Sequence, residues 1–267
     1  MNTESVDVRY AQAIRAGGVF FLVALCFYGA ALLPALNLVT FISMMAALLL
    51  SHHMKNRCRY FFWLLAVLCG FFSAVYRPTD FNYPLVWATQ SLYDGGVPFS
   101  QYFNIAKGLC GYGVLVLLYK SYEYNSKLSL LKGSAIACLG GCFIVILAVF
   151  GAGLPIIIKW SDHFWLFALV NLCLTVVAEE AFFRLLIQRH LEKMRIFKSR
   201  VFRWGPLLIT AGVFALAHGI HDYTWLFFAA GCIYAGVYKW TGRFELAVVV
   251  HFLVNIIHFL FLPYPLQ

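Results

Sequence analysis

The chain has 267 residues, 63% of them hydrophobic and 12% charged, with a formal net charge of +9 and a mean hydropathy of +0.81. A soluble globular domain carries about 25% charged residues, so the composition excludes that class and points to a polytopic membrane protein. The basic excess needs no nucleic acid to explain it, because membrane proteins accumulate Lys and Arg on their cytoplasmic side.

Each crossing of a hydrocarbon core about 30 Å thick takes about 20 apolar helical residues. The apolar runs are unbroken rather than alternating at period two, which excludes a β-barrel and predicts an all-α, polytopic transmembrane helix bundle of about eight or nine spans. In chain order these run near Ile14 to Leu33, Leu38 to Leu50, Tyr60 to Tyr76, Ile105 to Tyr119, Ala135 to Ile158, Phe164 to Ile187, Gly205 to Ala217, Trp225 to Trp240 and Leu246 to Leu262. The second and seventh are short and read as tilted or re-entrant. No small-residue cleavage site follows a brief apolar core near the start, so the first span reads as an uncleaved anchor. The connection from Arg77 to Asn104 is rich in aromatics, Pro and Gly, which predicts an outer interfacial segment with a short amphipathic helix, a lid or rim.

With the N-terminus in the cytoplasm, nine spans place the 20 Lys and Arg residues in inner segments, Lys55, Lys120 and Lys127 among them, except Arg77, Lys107 and Lys159 outside and Arg184 within a span. That asymmetry predicts an integral, multi-pass protein of the cell (inner or plasma) membrane with its C-terminus outside. The basic 189 to 203 loop then faces anionic lipid. Eight cysteines form no CxxC pair and read as small apolar residues rather than a zinc or disulfide frame. No internal repeat is evident. The chain reads as one integrated membrane domain, with variable helices over 1–163, a core carrying the polar residues over 164–262 and a short tail over 263–267.

Within that core, "TVVAEEAFFRLL" (Thr175 to Leu186) holds three charges in an apolar stretch. Glu180 and Arg184 stand at i and i+4 with the acid first, the spacing that pairs them on one helix face. Their reading is structural support. Glu179 is turned about 100° away. A lone carboxylate at membrane depth must bind a proton, bind a cation or face a water-filled cavity, and each of these is a site. Three further polar residues occupy apolar spans: His218 in "FALAH", and His251 with Asn255 in "HFLVN". The last two, at i and i+4, lie on one face. At 1.5 Å per residue the four lie about 12 to 22 Å from the nearest inner basic residues, so they can meet at one depth.

Peptide hydrolysis needs a base to activate water and donors where the carbonyl oxygen becomes negative. Glu179 and His218 suit the first task, His251 and Asn255 the second. Two His and one Glu also suit a catalytic zinc, which leaves a metal set of Glu179, His218 and His251 as the alternative, although HExxH is missing. A proton-coupled transporter or a non-catalytic scaffold uses the same residue types, but the inverted repeats common in transporters are not evident. His52, His53 and His190 read as interfacial, His221 as a residue of the cavity mouth, and His258, i+7 from His251, as support beside it.

"EEAFFR" (EExxxR), "FALAH" (FxxxH) and "HFLVN" (HxxxN), in this order on successive apolar segments, resemble the motifs of the CPBP intramembrane proteases, which include CAAX prenyl proteases of the Ras-converting type and bacteriocin-processing, Abi-like enzymes. The resemblance covers roughly Phe164 to Leu262. It implies a glutamate-dependent intramembrane endopeptidase. Glu179 and His218 match the pair that activates water, and His251 and Asn255 the pair that stabilises the oxyanion. Glu180 and Arg184 match the rest of the first motif. It further implies no cofactor, a membrane-associated peptide or protein as substrate, the lipid bilayer as partner and no nucleic acid.

Overall fold

A computed structural model describes residues 3–54, 56–119 and 128–266, with side chains for 14–54, 57–119 and 128–266. Lys55, Lys120 and Lys127, assigned above to inner segments, lie outside the described residues. Among the described residues the regular elements are helices except for one short hairpin. Among the described residues five helices are long and apolar enough to cross a membrane, and three shorter apolar helices accompany them, as expected of an integral membrane protein.

The chain divides into two compact units, Met1–Pro84 with Phe103–Tyr122, and Leu85–Tyr102 with Glu123–Gln267. The first unit contains α1 (Thr3–Gly29), α2 (Ala35–His53), α3 (Asn56–Val75) and α4 (Ile105–Leu118). α2 is longer than the short span expected over 38 to 50: it starts directly after Pro34 and continues through His52 and His53, 19 residues in all. At 1.5 Å per residue that is about 28 Å, a full crossing. Asn37 ties α2 to α3, its Nδ2 donating to Ser73 O at 2.7 Å while Ser73 Oγ donates back to Asn37 O at 3.1 Å. Polar contacts of this kind join helices where lipid offers no hydrophobic gradient. Asn104 caps α4 by accepting from Lys107 N at 3.0 Å.

The second unit opens with the hairpin, β1 (Leu85–Thr89) antiparallel to β2 (Phe99–Tyr102), with Trp87 opposite Gln101 and Thr89 opposite Phe99. The amphipathic helix expected in this connection is therefore replaced by strands. Leu85 to Thr89 is rich in β-branched and aromatic residues, and the turn contains Gly95 at φ 77°, a conformation glycine adopts at no steric cost. The hairpin buries Trp87 and Phe99 against Phe164, Phe167 and Phe259.

The helices of this unit are α5 (Leu130–Gly151), α6 (Phe164–Lys193), α7 (Gly205–Ala217), α8 (Thr224–Thr241) and α9 (Phe244–Phe261). α5 can lie close to α8 and α9 because its inner face is small. Gly133 faces Leu246 and Thr241, Gly140 faces Ile233, and Gly141 faces Val250, so side chains of the neighbours fill the space a Cβ would take. Gly231 of α8 meets the backbone of α7 in the same way, a Cβ there falling 3.0 Å from Ala211 Cα. α7 is as short as its sequence implied, about 20 Å at 1.5 Å per residue. It ends at His218, and Gly219 at φ 91° turns the chain.

α6 is the most enclosed candidate span, 61% of its apolar window buried. Its winding widens to π turns over Asn171–Val176 and Ala181–Gln188, on either side of the Glu179-Glu180 pair. Such wide turns occur mostly as local features of helices and often at functional sites.

Candidate functional site

The motif residues sit on α6, on α9 and at the end of α7. Glu180, Arg184, Gln188 and Glu192 recur every fourth residue along α6. In a regular α-helix such a row drifts about 40° per step, and the wider winding over Ala181–Gln188 offsets that drift. The row consequently behaves as a ladder. Arg184 Nε donates to Glu180 Oε2 at 2.8 Å and Arg184 Nη1 to Gln188 Oε1 at 2.9 Å. Gln188 Nε2 in turn donates to Ala235 O on α8 at 2.9 Å. The ladder ends where Lys239 Nζ meets Glu192 Oε1 at 3.2 Å. Glu180, Arg184 and Gln188 are completely buried, so these contacts hold charge where water cannot.

Glu180 does more than pair with Arg184. Its Oε1 accepts from His251 Nδ1 at 2.9 Å, which fixes the proton on that nitrogen, since Glu180 also pairs with Arg184 and so acts as acceptor. The other ring nitrogen, Nε2, stands 3.9 Å from Glu179 Oε2. His251 therefore lies between the two adjacent carboxylates of α6. Tyr234 stacks on its ring with centroids 4.4 Å apart, and Phe214 meets it edge-on at 5.5 Å. The imidazole cannot rotate without displacing both rings.

His218 joins this cluster through the same Phe214, whose ring is 4.5 Å away. Its Nδ1 is 2.8 Å from Phe214 O. A carbonyl only accepts, so Nδ1 carries the hydrogen, and Nε2 is the proton-accepting atom of the neutral ring. Asn255 donates from Nδ2 to Asn171 Oδ1 at 3.3 Å. That bond orients its amide and leaves Nδ2 a second hydrogen.

His218, His251, Asn255, His258 and Tyr234 line one cavity, whose remaining wall is apolar and includes Ile144, Leu154, Leu226 and Leu262. The cavity volume is about 70 Å³, where one water needs about 10–15 Å³. A polar end with converging side chains and an apolar body is the usual form of a ligand pocket.

The structure thus brings Glu179, Glu180, Arg184 and His251 into one run of contacts, and places His218, His251 and Asn255 on one cavity wall. His221 serves the turn after α7: its amide donates to Thr224 Oγ1 and its Nδ1 accepts from Tyr223 N. His258 lines the cavity and donates from Nε2 to Pro263 O at 2.8 Å. Among the described residues no group of three or more His, Cys, Asp or Glu is gathered as a metal-holding set.

Asn171, Gln188 and Tyr234 are site residues that the motifs do not mark. Asn171 was legible in part, as a polar residue in an apolar span two turns before Glu179. Gln188 extends the four-residue row begun by Glu180 and Arg184. Tyr234 carried no signal, being one aromatic among 15 tyrosines.

No curated protein and no solved structure matches the chain. Residues 160–257, from the loop before α6 to just past Asn255, match the family described as Rce1-like, type II CAAX prenyl endopeptidase.

Proposed function

We propose that the chain is an intramembrane endopeptidase that hydrolyses a peptide bond of a membrane-associated, CAAX-like peptide or protein. Glu179 with His218 activates water, and His251 with Asn255 receives the oxyanion. The observation that carries this reading is the shared cavity wall of His218, His251 and Asn255, with Glu179 Oε2 3.9 Å from His251 Nε2. The match of residues 160–257 supports the same class of reaction.

In this mechanism Glu179 accepts one proton from the water as it adds to the scissile carbonyl carbon, with His218 Nε2 accepting a hydrogen bond from the same water. The carbonyl oxygen becomes negative opposite His251 Nε2 and Asn255 Nδ2, in a low-dielectric site where fixed donors act most strongly. His251 donates there in its doubly protonated form, with Glu180 and Glu179 at its two nitrogens. Collapse breaks the C–N bond, and the proton passes to the leaving amine. Asn171 acts through Asn255. Asn171→Ala is expected to lower kcat roughly tenfold with little change in KM, less than the ~10²–10³-fold of losing an oxyanion donor outright. Asn171→Asp, which keeps the acceptor, should recover part of the loss. An unchanged kcat in Asn171→Ala would show that Asn255 needs no such support.

The direct test uses the purified chain and a fluorogenic farnesylated peptide ending in Cys-Val-Ile-Met. Cleavage is expected, and it should survive EDTA, because the reading includes no metal. Loss of activity in chelator with recovery on added zinc would instead favour Glu179, His218 and His251 as ligands. We place the N-terminus in the cytoplasm. A cysteine introduced at Lys198 should react with an impermeant maleimide only after the inner face is opened, and labelling in intact cells would reverse the topology.

A further inference from the structure

Between α5 and α6, residues 153–160 form neither helix nor strand, and the amides that bond to α9 come from alternate residues. Gly153, at φ 67°, ends the last turn of α5. After Leu154 and Pro155, Ile157 N donates to Phe261 O at 2.8 Å and Lys159 N to Leu260 O at 2.9 Å. Lys159 Nζ adds a bond to Leu262 O. These acceptors belong to the C-terminal end of α9, so alternate amides of the segment are committed to that helix.

In an extended chain successive residues direct their N–H and C=O groups to opposite edges. With Ile157 and Lys159 turned to α9, the groups of Ile156, Ile158 and Trp160 point the other way. Among the described residues the amides of these three have no hydrogen-bond partner. Their side chains are exposed by 66%, 81% and 65%, whereas Lys159 is 8% exposed. The segment thus presents a row of unpaired amides along the side turned away from α9. Such an open edge is normally blunted by proline, lysine or a bulge. Here the proline stands at the start, where it removes no donor from the edge, and the lysine is turned inward.

The segment also has a fixed origin. Leu154 is part of the wall of the cavity that holds His218, His251 and Asn255. Trp160, at the far end, is the kind of residue that marks a membrane interface. An edge running from the cavity to the interface cannot satisfy its backbone groups with lipid, but an unwound peptide can.

Resting on the peptidase reading, we propose that Ile156–Trp160 is the docking edge for the substrate, which adds to it as an extended strand and so leads its scissile bond past Leu154 into the cavity. Main-chain hydrogen bonds supply the affinity of such strand addition, and pockets for alternate side chains supply selectivity. Five residues at about 3.3 Å each give roughly 16 Å of edge, enough to pair four or five substrate residues. The exposed Ile156, Ile158 and Trp160 favour apolar residues at alternate substrate positions.

The probe is the farnesylated peptide used above, compared with a copy N-methylated at alternate backbone amides, which cannot pair along an edge. The methylated copy is expected to bind roughly tenfold or more weakly to the Glu179→Gln chain in nanodiscs, read by fluorescence anisotropy, since several hydrogen bonds are lost. Ile158→Pro removes one edge donor while leaving the bonds of Ile157 and Lys159 in place, and should raise KM several-fold with kcat kept. Ile158→Ala, which retains the amide, should stay within about twofold of the parent. Equal binding of both peptides, no binding of either, or an unchanged KM in Ile158→Pro would overturn the edge. Methylation-sensitive binding without cleavage by the parent chain would keep the edge and discard the peptidase.

Discussion

Glu179→Gln is expected to leave a folded membrane protein whose cleavage of the farnesylated peptide falls by about 10²- to 10⁴-fold, the usual worth of general-base catalysis. The amide is nearly isosteric with the carboxyl, whose Oε2 stands 3.9 Å from His251 Nε2, so little packing is disturbed. His218→Ala should fall into the same range. On the proposed mechanism both groups act on one water, so the double variant is expected to be hardly worse than either single one. Asn255→Ala should cost about 10²- to 10³-fold through the lost donor. The control is His221→Ala, whose side chain serves the turn after α7 and which is expected to keep most of the activity. Near-parent turnover by Glu179→Gln in a chain that melts normally would sink the glutamate mechanism and leave the buried acid with a structural task.

The second large effect concerns stability. Arg184 is completely buried and bonded to both Glu180 and Gln188. Removing one partner of a buried ion pair leaves the other charge uncompensated, at a cost of about 3–5 kcal/mol. Arg184→Met and Glu180→Leu should therefore each lower the melting temperature sharply in detergent. The double variant should be closer to the parent than the sum of the singles, because it removes both charges together. Its activity should still be low, since His251 Nδ1 loses the acceptor that holds the ring. Strictly additive destabilisation would show that the pair is not coupled.

These expectations separate what was legible in the residues from what was not. Composition and unbroken apolar runs determined the helical membrane class, since a bilayer admits few other ways to satisfy the backbone. The Glu180–Arg184 pair followed from spacing alone, because i and i+4 meet on any helix. Glu179, His218, His251 and Asn255 stood out as candidates because polar groups at membrane depth are costly unless used. Tertiary structure decided the rest. That Glu180 reaches His251, and that Asn255 bonds Asn171, depends on how α9 is set against α6, and their partners lie 71 and 84 residues away in sequence. The hairpin over Leu85 to Tyr102 likewise owes its burial to aromatic residues of α6 and α9. Local pattern records which face of a helix is apolar or charged, but not which distant side chain completes a hydrogen bond there. The one-sided extended run at Ile156–Trp160 is the clearest case. In sequence it reads as the end of an apolar span, and only the carbonyls at the end of α9 hold alternate amides of it in place.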